Sequence, residues 1–220
     1  KVPNGTYKEQ VSIKGRGKKY IKLIGNPKAP SKVILEGGGK LANGVFVNGA
    51  DGVTVNGFAA THQKANGFFV TNVNGYTLTN LTATLVGVYG LYAFNSIGGT
   101  MSNSTGAWNN DSGFYVGQTP PQSKPVRTIL KNLKAYGNVL GYSGTNSRYV
   151  TITDSKFWNN GAGIDLEGWT NFMGSFALAT GYLTLFWPDF VEYEGYILRK
   201  GFSEDSLRGF EKQANSSRKS

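Results

Sequence analysis

Hydrophobic and polar positions alternate along this chain in short runs, and the runs recur at a nearly fixed interval. A glycine that precedes an alternating apolar run returns every 23 residues and then after 28 and 22: Gly44, Gly67, Gly90, Gly113, Gly141 and Gly163. The longest interval contains Thr119–Pro125, a proline-rich stretch that predicts an inserted loop. A period of two residues predicts strands, and no unit carries a helical period.

Two further apolar runs follow each of these glycines. In the first unit they are Val53–Val55 and Phe58–Ala60. Each unit is therefore predicted to form three short strands separated by turns rich in glycine and asparagine. Three short strands cannot bury an apolar face alone, but stacked units can, with each strand pairing in parallel at ~4.8 Å per rung. The predicted fold class is an all-β solenoid of such rungs.

Two turn positions carry polar residues in every unit, which predicts two ladders of stacked side chains. The first contains Gly57, Asn80, Asn103, Asn132 and Asp154. The second contains Gly49, Asn72, Asn95, Gln118 and Asn146. Stacked asparagines hydrogen-bond along a stack of strands, so we expect both ladders to satisfy buried turn amides.

The repeated form, with Asn-Gly before an apolar run and Gly-Val-Thr-Val-Asn-Gly at 52–57, resembles proteins of the pectin-lyase-like superfamily. Residues 2–7 and 21–25 resemble the first rung that commonly follows that family's N-terminal cap. The resemblance covers residues 1–168 and implies a right-handed parallel β-helix in an extracytoplasmic or secreted protein. It leaves function open, because the superfamily includes lyases, hydrolases, epimerases, phage and adhesin scaffolds and copper-maturation proteins.

Residues 169–220 depart from the repeat and are predicted to form a separate, irregular or short-helical segment. Aromatic side chains crowd residues 169–197, which suits a cap over the open strand edges, a lateral packing segment or a trimmed rung. Residues 204–213 allow a short amphipathic helix, and a polar tail follows.

Alternation places one aromatic side chain per rung on the outside of the first strand. These residues are Phe46, Phe69, Tyr92 and Tyr115, with Phe94 nearby and with Ser143 and Asp165 on the next two rungs. A contiguous apolar surface of this kind usually contacts a ligand or a covering segment. We expect it to bind a polysaccharide, including acidic ones; the alternative is that the C-terminal aromatic segment covers it.

Few carboxylates are available for catalysis. Asp111, Asp165 and Glu167 are candidates for a general acid and base, and Asp165 with Glu167 could hold Ca²⁺ against a uronate. Lys64, next to the single histidine His62, is a weaker candidate base. The alternative is that these are solvated surface charges.

Composition narrows the function classes. The chain has 220 residues, no cysteine and a net charge of +10, which excludes disulfides, thiolate metal sites and cysteine nucleophiles. Residues 1–40 carry ten lysines and arginines but only two glutamates, without a nucleic-acid-binding motif. No apolar run reaches the ~20 residues of a membrane-spanning helix. Because Lys1 is no initiator, we expect a mature, trimmed or partial chain.

Motifs of the resembling enzymes are absent. The sequence lacks the Asn-Thr-Asp with Gly-His-Gly of polygalacturonases, the Asp-Pro-His of alginate epimerases and the Arg-x-Pro-x-x-Arg of pectate lyases. We therefore expect a β-helix that binds or processes an extended polysaccharide. If it is an enzyme, we expect a lyase or hydrolase of an acidic glycan; a non-catalytic scaffold is the alternative. The sequence does not determine the oligomeric state or a certain cofactor.

Overall fold

The computed structural model describes residues 1–167 and four strand segments beyond them, 177–178, 184–185, 189–193 and 196–200. The strands within these residues are β1 (Gly5–Tyr7), β2 (Val11–Lys14), β3 (Lys22–Ile24), β4 (Val33–Glu36), β5 (Asn43–Asn48), β6 (Val53–Thr61), β7 (Asn66–Thr71), β8 (Tyr76–Thr84), β9 (Leu91–Phe94), β10 (Thr100–Ala107), β11 (Ser112–Gly117), β12 (Thr128–Tyr136), β13 (Leu140–Thr145), β14 (Val150–Thr153), β15 (Lys156–Trp158), β16 (Ala162–Glu167), β17 (Ala177–Leu178), β18 (Thr184–Leu185), β19 (Asp189–Tyr193) and β20 (Tyr196–Lys200). One 3₁₀ turn, Pro30–Lys32, precedes β4.

The chain coils into stacked rungs, as the repeat predicts. Val45 is in register with Phe68, Phe68 with Leu91 and Leu91 with Phe114, all in parallel pairs. The strands β2 and β3 pair with β5 and β6 and so form a first rung, while β1 pairs with β4. Residues 119–125 contain no strand and form the predicted loop between β11 and β12.

The prediction of three separate strands per rung is wrong at the second turn of the rungs that contain β6, β8, β10 and β12, whereas β14 and β15 are separate strands as predicted. The second and third runs join into one long strand, as in β6 and β8, and build one eleven-stranded sheet. The first runs build a seven-stranded sheet, in the order β16-β13-β11-β9-β7-β5-β2. A single residue with positive φ bends each long strand, for example Asn80 at 51°, without ending the pairing on either side.

Left-handed backbone recurs at four positions per rung. We call three of them the first, second and third corners; the fourth is occupied by Gly52, Gly75, Gly98 and Tyr149. The first corner holds Gly49, Asn72, Asn95, Gln118 and Asn146, and the second holds Gly57, Asn80, Asn103, Asn132 and Asp154. Glycine and asparagine tolerate this conformation, which explains their recurrence. The sequence did not predict the third corner, which holds His62, Leu85, Trp108, Gly137 and Asn159.

The two predicted polar columns lie at the surface, so the expectation that they satisfy buried amides is wrong. Asn103, Asn132 and Asp154 are exposed. Their amides bond to one another: Asn132 donates to Asn103 at 2.8 Å, and Asn95 donates to Asn72 at 2.7 Å. Asp154 instead lies 3.7 Å from the ammonium of Lys131. Left-handed backbone directs these side chains outward, where neighbouring rungs bring them together.

A different asparagine column is buried, just after the third corner. The Asn138 side-chain oxygen accepts from the backbone N–H of Asn109 at 2.9 Å, and Asn160 accepts from Asn138 at 3.0 Å. Asn109 and Asn138 are only 3 % and 5 % exposed. These amides satisfy backbone groups that a turn inside a stack leaves without a strand partner.

The recurring glycine of each unit allows close packing between the two sheets. A Cβ at Gly67 would lie 2.7 Å from the Cβ of Ala83, and one at Gly113 would lie 2.8 Å from that of Ala135. These glycines do not have positive φ. They are needed because the start of each rung's first strand lies directly against the end of its long strand. Between the sheets, fully buried Phe58, Phe68 and Phe114 belong to one apolar core.

Beyond residue 167 the structure describes strand backbone only. The strands β17 and β18 pair in parallel with β14 and β15, and β19 pairs with β20 as an antiparallel hairpin. The predicted aromatic cap in 169–197, the helix at 204–213 and the polar tail otherwise lie outside the described residues. Among the residues described, no helix has the length and apolar character needed to cross a bilayer.

Candidate functional site

One aromatic ring per rung lines the outward face of the seven-stranded sheet. Phe46 is in register with Phe69, Phe69 with Tyr92 and Tyr92 with Tyr115. We call these four side chains the sheet row. The register continues from Tyr115 to Ser143 and on to Asp165, so a line of side chains changes from apolar to polar across six rungs.

The rings of the sheet row cover one another's faces. Phe69 and Tyr92 are stacked, with centroids 4.3 Å apart and planes 7° apart. Phe46 lies against the other side of Phe69 at 5.3 Å, and Tyr115 meets Tyr92 edge-on at 4.9 Å. Solvent therefore reaches mainly the ring edges of the middle rungs. The expectation of an exposed ring at every rung is wrong: Tyr115 is only 7 % exposed, and Phe46, Phe69 and Tyr92 are half-buried.

Three side chains flank the sheet row. Phe94 lies 5.9 Å from Tyr92, and the Lys14 ammonium lies 5.3 Å from the centre of the Phe46 ring. Tyr89 contacts both Tyr92 and Tyr115 at 4.7 Å. The alternating sequence pattern does not predict Tyr89, because this residue lies in a turn before the strand.

The hydroxyl of Tyr92 stays protonated through neutral and mildly alkaline pH. Its partial burial, with smaller contributions from the phenols of Tyr115 and Tyr89, raises the pKa of Tyr92 above its usual value. Burial disfavours a phenolate, and neighbouring phenolates would repel it. Tyr92 is therefore a hydrogen-bond donor at the edge of an apolar surface.

Two serines connect the sheet row to Asp111. The Ser112 hydroxyl donates to Oδ1 of Asp111 at 2.7 Å and lies 2.8 Å from the Ser143 hydroxyl. A hydroxyl has one proton, and that of Ser112 is directed at Asp111, so Ser143 donates to Ser112. The Ser143 oxygen retains lone pairs, but Ser143 is only 6 % exposed, so a ligand has little access to it. Ser112 was not a predicted site residue.

Asp165 and Glu167 lie on the same strand, β16, and Asp111 lies two rungs earlier, just before β11. Asp165 is the register neighbour of Ser143, and the Glu167 backbone is in register with Thr145; the Glu167 side chain lies outside the described residues. Asp111 is at the far end of the serine pair from Asp165. The roles of Asp111, Asp165 and Glu167 as acid, base or calcium ligands stay predictions. Among the side chains described, no three of the His, Asp and Glu type are grouped to hold a metal ion.

Lys64 and His62 lie in the turn at the third corner, two rungs before Asp111. The His62 ring nitrogen Nδ1 lies 3.2 Å from the Glu36 carboxylate, and Lys64 is exposed. Partial burial opposes ionisation of Glu36, but hydrogen bonds from Gly38 and His62 and the positive charges of His62 and Lys8 outweigh it and lower the pKa of Glu36. A catalytic role for Lys64 stays a prediction.

Comparisons with known proteins identify the fold family. Among solved structures, the chain is similar to the A-module of Azotobacter vinelandii mannuronan C-5 epimerase AlgE4, with a TM-score of 0.55 and 16 % identity. The match covers 74 % of this chain and 49 % of that one, so this chain spans about half of its length. Identity this low shows a shared fold alone. No curated protein sequence matches the chain.

A family model described as "Right handed beta helix region" matches residues 33–175, which is more than half of the chain. The match includes the rungs that carry the sheet row and the serine pair. The structure accounts for it, because the parallel register, the left-handed corners and the glycine column all recur through this range. The chain belongs to the right-handed beta helix family.

Proposed function

We propose that this protein binds an extended polysaccharide along the outward face of the seven-stranded sheet. The observation that carries the proposal is the straight register of Phe46, Phe69, Tyr92 and Tyr115 with Ser143 and Asp165. Five rung intervals at ~4.8 Å span about 24 Å, which suits a polymer laid along the axis of the solenoid. A small compact ligand would need a closed pocket instead.

The exposed ring edges favour an oxygen-rich ligand. An aromatic ring carries positive charge at its edge and negative charge on its faces, and the faces in the middle of the sheet row are covered. Sugar hydroxyl and carboxylate oxygens interact favourably with such edges through weak C–H contacts. The Tyr92 hydroxyl adds a donor. Lys14 places a cation at one end, which favours an acidic polymer.

Binding is better supported than catalysis. The structurally similar protein is named as an epimerase of mannuronan, which is a polysaccharide, and this supports the ligand class. This chain lacks the Asp-Pro-His motif of alginate epimerases, and Asp111 lies two rungs away from Asp165 and Glu167, which share β16. The proposal has a catalytic form as well. In that form the bound acidic glycan is processed by Asp111, Asp165 and Glu167, with or without Ca²⁺. The proposed ligand also implies an extracytoplasmic location.

The test is a titration of the full chain with polygalacturonate and with neutral polysaccharides, with and without Ca²⁺. The double variant Phe69→Ala/Tyr92→Ala removes the middle of the sheet row, and we expect it to weaken binding about tenfold or more. Thr77→Ala is the matched control, since Thr77 is a half-buried outward residue of the other sheet. Thermal unfolding confirms that each variant folds. Unchanged affinity in the folded double variant contradicts the proposal.

The same titration, monitored for reducing ends and unsaturated uronate, tests for catalysis. Product that accumulates with the parent chain and disappears with Asp165→Asn supports a lyase or hydrolase. Binding without product leaves a carbohydrate-binding protein.

A non-catalytic scaffold is the second candidate function. The mutual coverage of ring faces in the sheet row and the burial of Tyr115 favour it, because rings that stack on one another stabilise a solenoid without any ligand. In that case no polysaccharide in the panel binds, while Phe69→Ala still lowers the stability of the fold.

A further inference from the structure

A second aromatic row lies on the other sheet, near the third corner. Trp108 meets Tyr136 edge-on at 6.0 Å, and Tyr136 stacks on Trp158 at 4.7 Å. Tyr136 and Trp158 are register neighbours at the ends of β12 and β15. We call Trp108, Tyr136 and Trp158 the corner row. It shares no residue with the sheet row.

The indole of Trp108 is both exposed and fixed in place. Trp108 is 57 % exposed, with left-handed backbone at a φ of 57°. It lies on Gly137 of the next rung, where any Cβ would overlap the indole ring. One face of the indole therefore rests against backbone while the ring remains open to solvent. An exposed aromatic that is already ordered loses little conformational freedom on binding.

A shallow depression of about 610 Å³ lies beside Trp108. Leu85 and Val139 stand at its sides and are 52 % and 56 % exposed. Buried Asn109 and Asn138 also line it, and their hydrogen bonds to neighbouring rungs keep it rigid. Exposed apolar side chains around a rigid, polar-lined depression are typical of a binding surface.

The sheet next to the corner row carries paired lysines. Lys134 and Lys156 are exposed register neighbours, each two residues before an aromatic of the corner row. Like charges directly opposite one another destabilise a sheet. Lys131 is paired with Asp154, but within the described part of the chain no carboxylate is paired with Lys134 or Lys156. An anion bound beside the corner row would relieve this repulsion.

We propose that the corner row and these two lysines form a second glycan site, for the acidic sugar residues of an anionic polysaccharide. A sugar ring stacks on the open side of Trp108, as apolar C–H faces do on aromatic rings. Its carboxylate, or that of the next sugar, lies near Lys134 and Lys156. The site stands on observations independent of the sheet row, so it holds whether or not the sheet row binds a ligand.

The test compares polygalacturonate with fully methyl-esterified pectin, which has the same backbone without the charge. The full chain is titrated with both polymers at low and high salt. We expect Trp108→Ala to weaken polygalacturonate binding about tenfold. Lys134→Gln/Lys156→Gln should weaken polygalacturonate binding and its salt dependence while leaving methyl-esterified pectin unaffected.

The matched control is Tyr20→Ala. Tyr20 is 74 % exposed, has a φ of 57° and lies on Gly52 as Trp108 lies on Gly137, but none of the described side chains forms an aromatic row beside it. Trp108→Phe keeps a ring and should retain most of the binding, which separates loss of contact from loss of fold. The Phe69→Ala/Tyr92→Ala variant should leave the effect of Trp108→Ala unchanged, so failure of either site is recognised separately.

Three results would overturn the proposal. The first is no binding of the parent chain to polygalacturonate, alginate or hyaluronan. The second is equal affinity for polygalacturonate with and without Trp108→Ala in the Phe69→Ala/Tyr92→Ala background, where the sheet row no longer contributes. The third is tighter binding of a single-stranded DNA oligonucleotide that the same variants abolish, which would assign the surface to nucleic acid.

Discussion

The sheet row and the corner row both consist of aromatic side chains but present them differently. In the sheet row, in-register rings leave the strands in parallel and cover one another's faces, as Phe69 and Tyr92 do at 4.3 Å. In the corner row, left-handed backbone turns Trp108 along the solenoid axis onto Gly137, so the indole remains 57 % exposed. Backbone conformation therefore decides whether an outward aromatic contributes mainly to stability or mainly to recognition.

The largest expected effect is a difference in unfolding free energy between truncating a side chain on the inner face of the seven-stranded sheet and truncating one on its outer face. Phe68 is fully buried, while its neighbour Phe69 is half-buried in the sheet row. We expect Phe68→Ala to lower the free energy of unfolding by about 3–5 kcal/mol and Phe69→Ala by about half as much. Urea denaturation measures both. Equal losses would show that the sheet row is as buried as the core and would favour the scaffold function.

The next largest effect concerns the glycine beneath Trp108. Gly137 and Gly39 both have a φ of 69°, but only Gly137 carries an aromatic ring where a Cβ would lie. Gly39→Ala should cost about 1–2 kcal/mol of unfolding free energy from left-handed backbone alone. Gly137→Ala should cost more and should also abolish the contribution of Trp108 to glycan binding. If the two variants bind polygalacturonate equally, Gly137 does not position the indole.

A smaller effect is expected at the polar end of the sheet row. Ser112→Ala removes the hydroxyl that connects Asp111 to Ser143, and we expect a loss of about 1 kcal/mol in unfolding free energy. Ser143→Ala should cost no more, since the hydrogen bond of Ser112 to Asp111 remains. Thermal unfolding orders the two. A larger loss for Ser143→Ala contradicts the assigned direction of the hydrogen bonds.

The smallest expected effect is electrostatic and comes from the contact of Glu36 with His62 at the third corner. Because the folded pKa of Glu36 is lowered, its stabilisation is complete above the unfolded pKa of about 4.3 and declines as the pH falls through the folded pKa. Both groups reach solvent, so we expect less than about 0.5 kcal/mol. The stabilities of the parent and of Glu36→Gln are compared by unfolding between pH 3 and 6, about one unit or more on either side of that pKa. The two should become equal at the acid end of this range. Curves that stay parallel would refute this assignment.

The sequence predicted the register because equivalent residues recur every 23 positions and each rung repeats the one below. It did not predict the contact of Ser112 with Ser143, because these residues are not equivalent within the repeat. It also did not predict the contact of Trp108 with Gly137, because strand alternation does not give the direction of a side chain at a left-handed corner. The recurrence of polar residues at two turn positions predicts the ladders, but whether they are buried depends on that same direction.

Hydroxyl-radical footprinting of the full chain with and without polygalacturonate tests the central claim most directly. The account predicts that the polymer lowers oxidation of Phe46, Phe69 and Tyr92 in the sheet row and of Trp108 in the corner row, with Tyr20 unchanged. Protection confined to the corner row would assign glycan binding to that site alone. Unchanged oxidation of both rows at saturating polymer contradicts the account and leaves a structural solenoid.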